Sequence, residues 1–214
     1  MTERIMPPQK AMTNHFSNNP ATNGILAFSG FNRCLKESRE VTGRDPENGT
    51  MTYPEKQGSW LGAVGYMALL DQIGSCFKPR GVTTIPGNTI KKSLGYFSAL
   101  NNQEIDALYA LRCAFTHDFS LYNINQNNSS LTHCFSVGIF SNQSVVTLPQ
   151  EQWNKDYNNT HARYKTVINL AAFGNLVESV CAKLVDLFCS DQLDIALAGG
   201  SDELLQRYSL YQKV

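Results

Sequence analysis

No stretch of this chain stays apolar for the length of a membrane span, and its opening residues, Met1-Thr-Glu-Arg-Ile-Met-Pro-Pro8, lack the apolar core of a secretory signal. The expectation is a cytoplasmic protein with no membrane partner. Its six cysteines (Cys34, Cys76, Cys113, Cys134, Cys181 and Cys189) form no Cys-x-x-Cys pair and no close group with histidine. That spacing argues against a zinc site and for reduced, buried thiols. Excess charge of one sign is also missing, since 18 Lys and Arg balance 18 Asp and Glu. No global field draws in nucleic acid, so any contact with RNA must be local. The local basic groups are Lys78-Pro-Arg80 and Lys91-Lys92. There is no internal repeat, no heptad array and no glycine loop ending in Gly-Lys-Ser/Thr.

What is present is an ordinary globular composition, 42% hydrophobic and 17% charged over 214 residues, enough for one domain with a core. Residues 1 to 50 read as a loosely structured lead-in, with one apolar helical face through Ile25, Leu26, Phe28, Phe31 and Leu35, and residues 51 to 214 as the main domain. Trp60, Leu61, Val64, Met67, Ala68 and Phe77 recur at helical spacing. Gly58, Gly62 and Gly65 form a stripe of small residues suited to close packing, within a bundle or across a dimer. A second helix runs to Leu100, and a third carries Ile105, Leu108, Leu111 and Phe115 on its apolar face. Alternation follows, through Phe119, Leu121, Leu131, His133, Phe135, Val137 and Ile139 and then Val145 to Leu148, which predicts a small antiparallel hairpin or three-stranded appendage. Helices are then expected through Trp153, Tyr157 and Tyr164, and from Val167 to about Ala198, ending at Gly199-Gly200.

The chemistry concentrates at Arg112 and His117, near the end of the third helix. Arginine is permanently charged and offers a planar fork of donors that matches phosphate oxygens. Histidine exchanges protons near neutrality. A five-residue offset leaves the two about 140° apart around a continuous helix, so they converge only if the helix ends near His117. The change to alternation at Phe119 suggests that it does.

Arg112 and His117, with four residues between them, resemble the motif of the HEPN superfamily, helical-bundle domains in which an Arg, four to six residues and a His lie at the end of a core helix. Gly58-Ser-Trp60-Leu-Gly62-Ala-Val-Gly65-Tyr-Met-Ala-Leu-Leu-Asp71 looks like the earlier long helix of these domains, and Ile105-Asp-Ala-Leu108-Tyr109 like the entry to the motif. The likeness covers about residues 57 to 140. It departs from the family at Cys113, where a polar residue such as Asn is usual. The implied fold is mainly α, a HEPN-like bundle with a small β-hairpin inserted after the motif helix. The implied function is metal-independent endoribonuclease activity, with 2′-hydroxyl attack leaving a 2′,3′-cyclic phosphate, in a toxin or phage-defence effector. In that reaction His117 is base or acid, Arg112 steadies the charge on the phosphorane, and no cofactor is called for. One chain supplies one such His, and the resemblance implies a homodimer sharing the site. RNA is then the substrate, and an antitoxin or a small nucleotidyltransferase the expected companion of a toxin. The same resemblance leaves an alternative, a catalytically silent module binding RNA, a nucleotide or a partner protein.

Other candidates carry less. His133, on the apolar phase of a strand, reads as a satisfied core histidine, and His161 and His15 as exposed and inert. Asp186, Asp191 and Asp194 read as the solvated face of a helix without metal-ligand spacing. Tyr109 and Tyr122 flank the motif and suit either a core role or stacking on a base.

Overall fold

The computed structural model describes residues 8–16, 25–141 and 144–213. The protein is mainly α. In chain order come α1 (Pro8–Phe16), β1 (Ile25–Ser29), α2 (Gly30–Val41), α3 (Trp60–Cys76), β2 (Phe77–Pro79), α4 (Thr89–Phe97) and α5 (Asn102–Asp118). They are followed by β3 (Tyr122–Asn123), β4 (His133–Gly138), β5 (Val146–Thr147), β6 (Lys165–Asn169), α6 (Leu170–Cys189), β7 (Leu193–Ile195), α7 (Gly200–Tyr208) and β8 (Ser209–Lys213).

The centre of the core is α3, started by Ser59, whose hydroxyl accepts from the Gly62 amide at 3.2 Å. Tyr66, Met67, Leu69, Leu70 and Ile73 are buried along it. Its glycines set how closely the neighbours approach. A methyl group on Gly65 would lie 2.2 Å from Ser38 Oγ and one on Gly62 2.2 Å from Thr42 Cγ2, so α2 seats directly on that stripe. On another side, a methyl on Gly74 would lie 1.8 Å from the Thr89 carbonyl oxygen at the start of α4. Packing inside the bundle therefore occupies the face of Gly62 and Gly65 that sequence spacing also offered to a dimer.

Several expectations are corrected. The segment from Ile25 to Ser29 is strand β1, paired antiparallel with β8 nearly the whole chain away, and the helix begins only where the Ser29 hydroxyl caps it by accepting from Asn32 N. The boundary at residue 50 is not one of packing, because Ala11, Met12, Phe31 and Leu35 belong to the same core as α3. Residues 8–16 of the lead-in are helical, while 1–7 and 17–24 lie outside the described residues. His15, expected to be exposed, is fully buried among Phe16, Phe31, Phe77 and Tyr208, at ring separations of 5.3 to 6.1 Å.

The expected hairpin is instead part of a four-stranded mixed sheet of order β3-β4-β6-β5. Strand β6 lies parallel to β4 and separates it from β5. The helix expected through Trp153 and Tyr157 is irregular, because side chains capture the local amides: Asp156 N donates to Asn154 Oδ1 at 3.1 Å and Asn158 N to Asp156 Oδ1 at 2.9 Å. The expected helix from Val167 to Ala198 divides into β6, α6 and β7, and Gly199 precedes α7. Asp186 is on α6, but Asp191 follows the helix, Asp194 is on β7, and both pair with Arg80.

Long-range polar ties close the bundle. Arg39 on α2 donates to Glu178 on α6 from Nε and Nη2, the latter at 2.7 Å, and the Tyr66 hydroxyl donates to the same carboxylate at 2.9 Å.

Candidate functional site at the motif helix

Helix α5 is fixed at both ends. Asn101 accepts from Gln103 N and Glu104 N, and Glu104 reaches back to accept the Asn101 amide at 2.9 Å, a reciprocal cap. At the far end Phe119 turns the chain into the left-handed region at φ 56°. Its ring lies 6.3 Å from Trp60 and 5.8 Å from Phe115, and Trp60 and Phe115 are 5.0 Å apart. This aromatic clamp holds the end of α5 against the start of α3. It fixes the backbone that carries His117.

The helix runs through His117 and ends at Asp118. Arg112 and His117 thus sit in one continuous helix, about 140° apart around its axis and roughly 7.5 Å apart along it. Within one chain the helix does not aim them at a common point. His117 is exposed, and among the described residues no hydrogen bond or ion pair engages its ring. Arg112 is held: its Nε donates to Asp71 Oδ2 at 2.8 Å, and Asp71 Oδ1 accepts the Thr89 hydroxyl at 2.5 Å. Burial opposes the Arg112 charge, but the Asp71 bond and charge outweigh it, so its pKa lies above that of an ordinary arginine. Asp71 is its one ion-pair partner among the described residues. With Nε spent on Asp71 and a further bond to the Cys113 side chain, the remaining N–H groups of the guanidinium are the edge left for a phosphate.

The same face of α5 continues toward its N-terminus as a polar row. Lys91 pairs with Asp106 at 2.5 Å and lies 4.9 Å over the Tyr109 ring. Asp106 also accepts the Ser130 hydroxyl at 2.9 Å. Tyr109 has its pKa raised, first by burial and then by its bond to the Cys113 thiol. The role of Tyr109 is thus local packing and bonding within the row. His133 is buried, with Nδ1 against Thr166 Oγ1 and Nε2 against the Ser130 carbonyl, both at 2.8 Å. Burial pushes its pKa down, against the Ser130 carbonyl and Asp106. It is a satisfied core histidine, as its strand phase suggests. His161 is exposed, its Nδ1 accepting from Arg163 N. Tyr122 packs 5.1 Å from Trp153 and 5.0 Å from Tyr157.

Two residues of the site were not singled out by spacing: Asp71 and Thr89. Asp71 did carry a signal, being the one charged residue in the otherwise apolar and neutral run of α3. No group of three or more potential metal ligands occurs among the described residues, and no helix there is long and apolar enough to cross a membrane. Compared with known proteins, the chain matches no family model, no curated protein and no solved structure.

Proposed function

We propose that this protein is a metal-independent endoribonuclease of HEPN-like type, built to act as a homodimer. The observation that carries the reading is the division of labour at the end of α5: a guanidinium pre-oriented by Asp71 with N–H groups left for a phosphate, and, five residues on, an exposed imidazole with no hydrogen bond or ion pair among the described residues. Arg112 binds the phosphate and stabilises the charge that develops on it. His117 takes the proton from the 2′-hydroxyl or gives one to the departing 5′-oxygen. The reaction is a transesterification. The 2′-oxygen bonds to phosphorus, the 5′-oxygen leaves with a proton, and a cyclic phosphate remains. Because one chain presents one such imidazole and splays it from its arginine, the second proton carrier comes from a second copy, with RNA held between the two motif helices. In a toxin or defence setting the companion is an antitoxin or a small nucleotidyltransferase.

The test is cleavage of single-stranded RNA in EDTA, with cyclic-phosphate ends as product. Arg112→Ala and His117→Ala each abolish it and leave melting within a few degrees of wild type, because His117 is exposed and Arg112 partly exposed. One observation favours a second reading: Asp71 already neutralises Arg112. On that reading the module is catalytically silent and binds RNA, a nucleotide or a partner protein. Retained RNA binding without cleavage, weakened by Arg112→Ala and unaffected by His117→Ala, would select it.

A further inference from the structure

The two basic patches that stand apart in sequence meet in space. Lys78, in β2, and Lys92, in the first turn of α4, line one cavity of about 370 Å³ together with Ser75, Thr84, Thr89 and Tyr96. No carboxylate lines it. Both lysines are half-buried, and neither forms an ion pair among the described residues. Lys78 Nζ reaches only the Val82 carbonyl, at 3.4 Å. Its cross-strand neighbour Asp194 is taken by Arg80 at 3.1 Å. The Tyr96 hydroxyl accepts the Ile85 amide at 2.8 Å, which leaves its own proton to donate. The Asn88 side chain does not cap α4. The other cationic cavities differ. Arg33 and Arg207 share one, but each is already paired with a glutamate, Glu37 and Glu203. The cavity at Arg80, which Lys78 also borders, is lined by Asp191 and Asp194.

Two lysines in one concave wall, neither paired with a carboxylate among the described residues, repel one another and attract an anion. With the Tyr96 hydroxyl as a further donor and no acid in the wall, they make a concave site of the size small ligands occupy. We infer that this cavity is an oxyanion site that holds a phosphate group, from a nucleotide or from an RNA backbone. Thr89 belongs both to its wall and to the Asp71 anchor of Arg112, so the cavity adjoins the motif through one side chain. The inference stands on the cavity alone and does not require the ribonuclease reading.

Titration calorimetry on the full chain tests it, with inorganic phosphate, adenosine monophosphate and a short single-stranded RNA as separate probes. The RNA arm uses His117→Ala protein, so that cleavage plays no part. Lys78→Gln and Lys92→Gln each weaken binding about tenfold or more, the scale of one charge-assisted bond, while Lys78→Arg and Lys92→Arg retain most of it. Preference for the mononucleotide identifies a free nucleotide as the source, and preference for RNA identifies the backbone. The inference is overturned if no probe binds. It is equally overturned if a probe binds and both Gln variants, shown folded by unchanged melting, bind as tightly as wild type.

Discussion

Arg112 and Asp71 are joined at 2.8 Å across 41 residues of sequence, and the free oxygen of the same carboxylate is held by Thr89. Three helices thereby fix one guanidinium, α5 through Arg112, α3 through Asp71 and α4 through Thr89. A fork held in one orientation has less freedom to lose when a phosphate arrives.

Asp71→Asn keeps the shape and an acceptor for one neighbour but removes the charge that orients Arg112. Expected is a stability loss of about 1 kcal/mol, because both side chains are partly exposed. RNA cleavage falls by about tenfold or more with RNA binding little changed, the signature of lost positioning. Cleavage rates and urea midpoints on the same preparation check this. Unchanged cleavage would remove Asp71 from the site.

Gly74 in α3 and Gly81 in the turn after β2 give a sharper stability contrast. Gly74→Ala drives a methyl group to 1.8 Å from the Thr89 carbonyl oxygen, a backbone atom with nowhere to retreat. Separating α3 from α4 there costs about 3 kcal/mol or more. It also displaces Thr89 from Asp71. Gly81→Ala meets nothing within 4 Å, and only its φ of +75° resists substitution, at a cost of about 1 kcal/mol. Equilibrium denaturation of the two variants should rank them in that order.

How far these features were legible in the sequence depends on the range of the interactions behind them. Helix α5 was fully readable: its cap at Asn101, its stripe of Ile105, Leu108, Leu111 and Phe115, and its end near His117 are all local signals. The boundary between β6 and α6 was not, because the apolar run through Val167, Ile168 and Leu170 suits a strand and a helix equally. What decides it is the parallel pairing of Val167 with Ser136 and Ile168 with Val137, which is non-local. Strand β1 was lost for the same reason. In the site, the motif residues were visible from their spacing, while the Asp71 and Thr89 anchors depend on three helices packing together.

His15 predicts the acid response of the fold. Its ring is fully buried among aromatic side chains, neither nitrogen has a hydrogen-bond partner among the described residues, and burial pushes its pKa from 6.5 down to about 4. The unfolded chain therefore binds the proton first. Above pH 6.5 the imidazole is neutral in both states and no penalty applies. As the pH falls from 6.5 to about 4, stability is lost at about 1.4 kcal/mol per unit, to a total of about 3 kcal/mol. The depressed pKa of His133 adds a loss of the same sign below 6.5. His15→Leu removes the larger share, so the slope of stability against pH flattens in that window and little changes above it. Urea unfolding across the range measures the slope. An equal slope in the variant would show that His15 is not buried uncharged.

The composite site makes a quantitative prediction about mixed dimers. If each active centre needs the His117 imidazole of both copies, one as base and one as acid, a dimer carrying a single His117→Ala subunit is inactive. Wild-type and His117→Ala chains, unfolded together and refolded so that subunits assort at random, then give activity that follows the square of the wild-type fraction. An equal mixture retains about a quarter of the activity of undiluted wild type. A centre complete within one chain gives a straight line instead, and the same mixture retains about half. Light scattering on the mixture establishes that it is dimeric, and a Lys36→Gln chain, altered at a salt bridge between α2 and Glu47 away from the motif, serves as the neutral diluent. A linear response would require a second proton carrier in the same chain. His133 is poorly placed for that role, since Thr166 and the Ser130 carbonyl occupy both its nitrogens. Linearity would therefore count against the two-histidine mechanism as a whole, and not only against the shared interface.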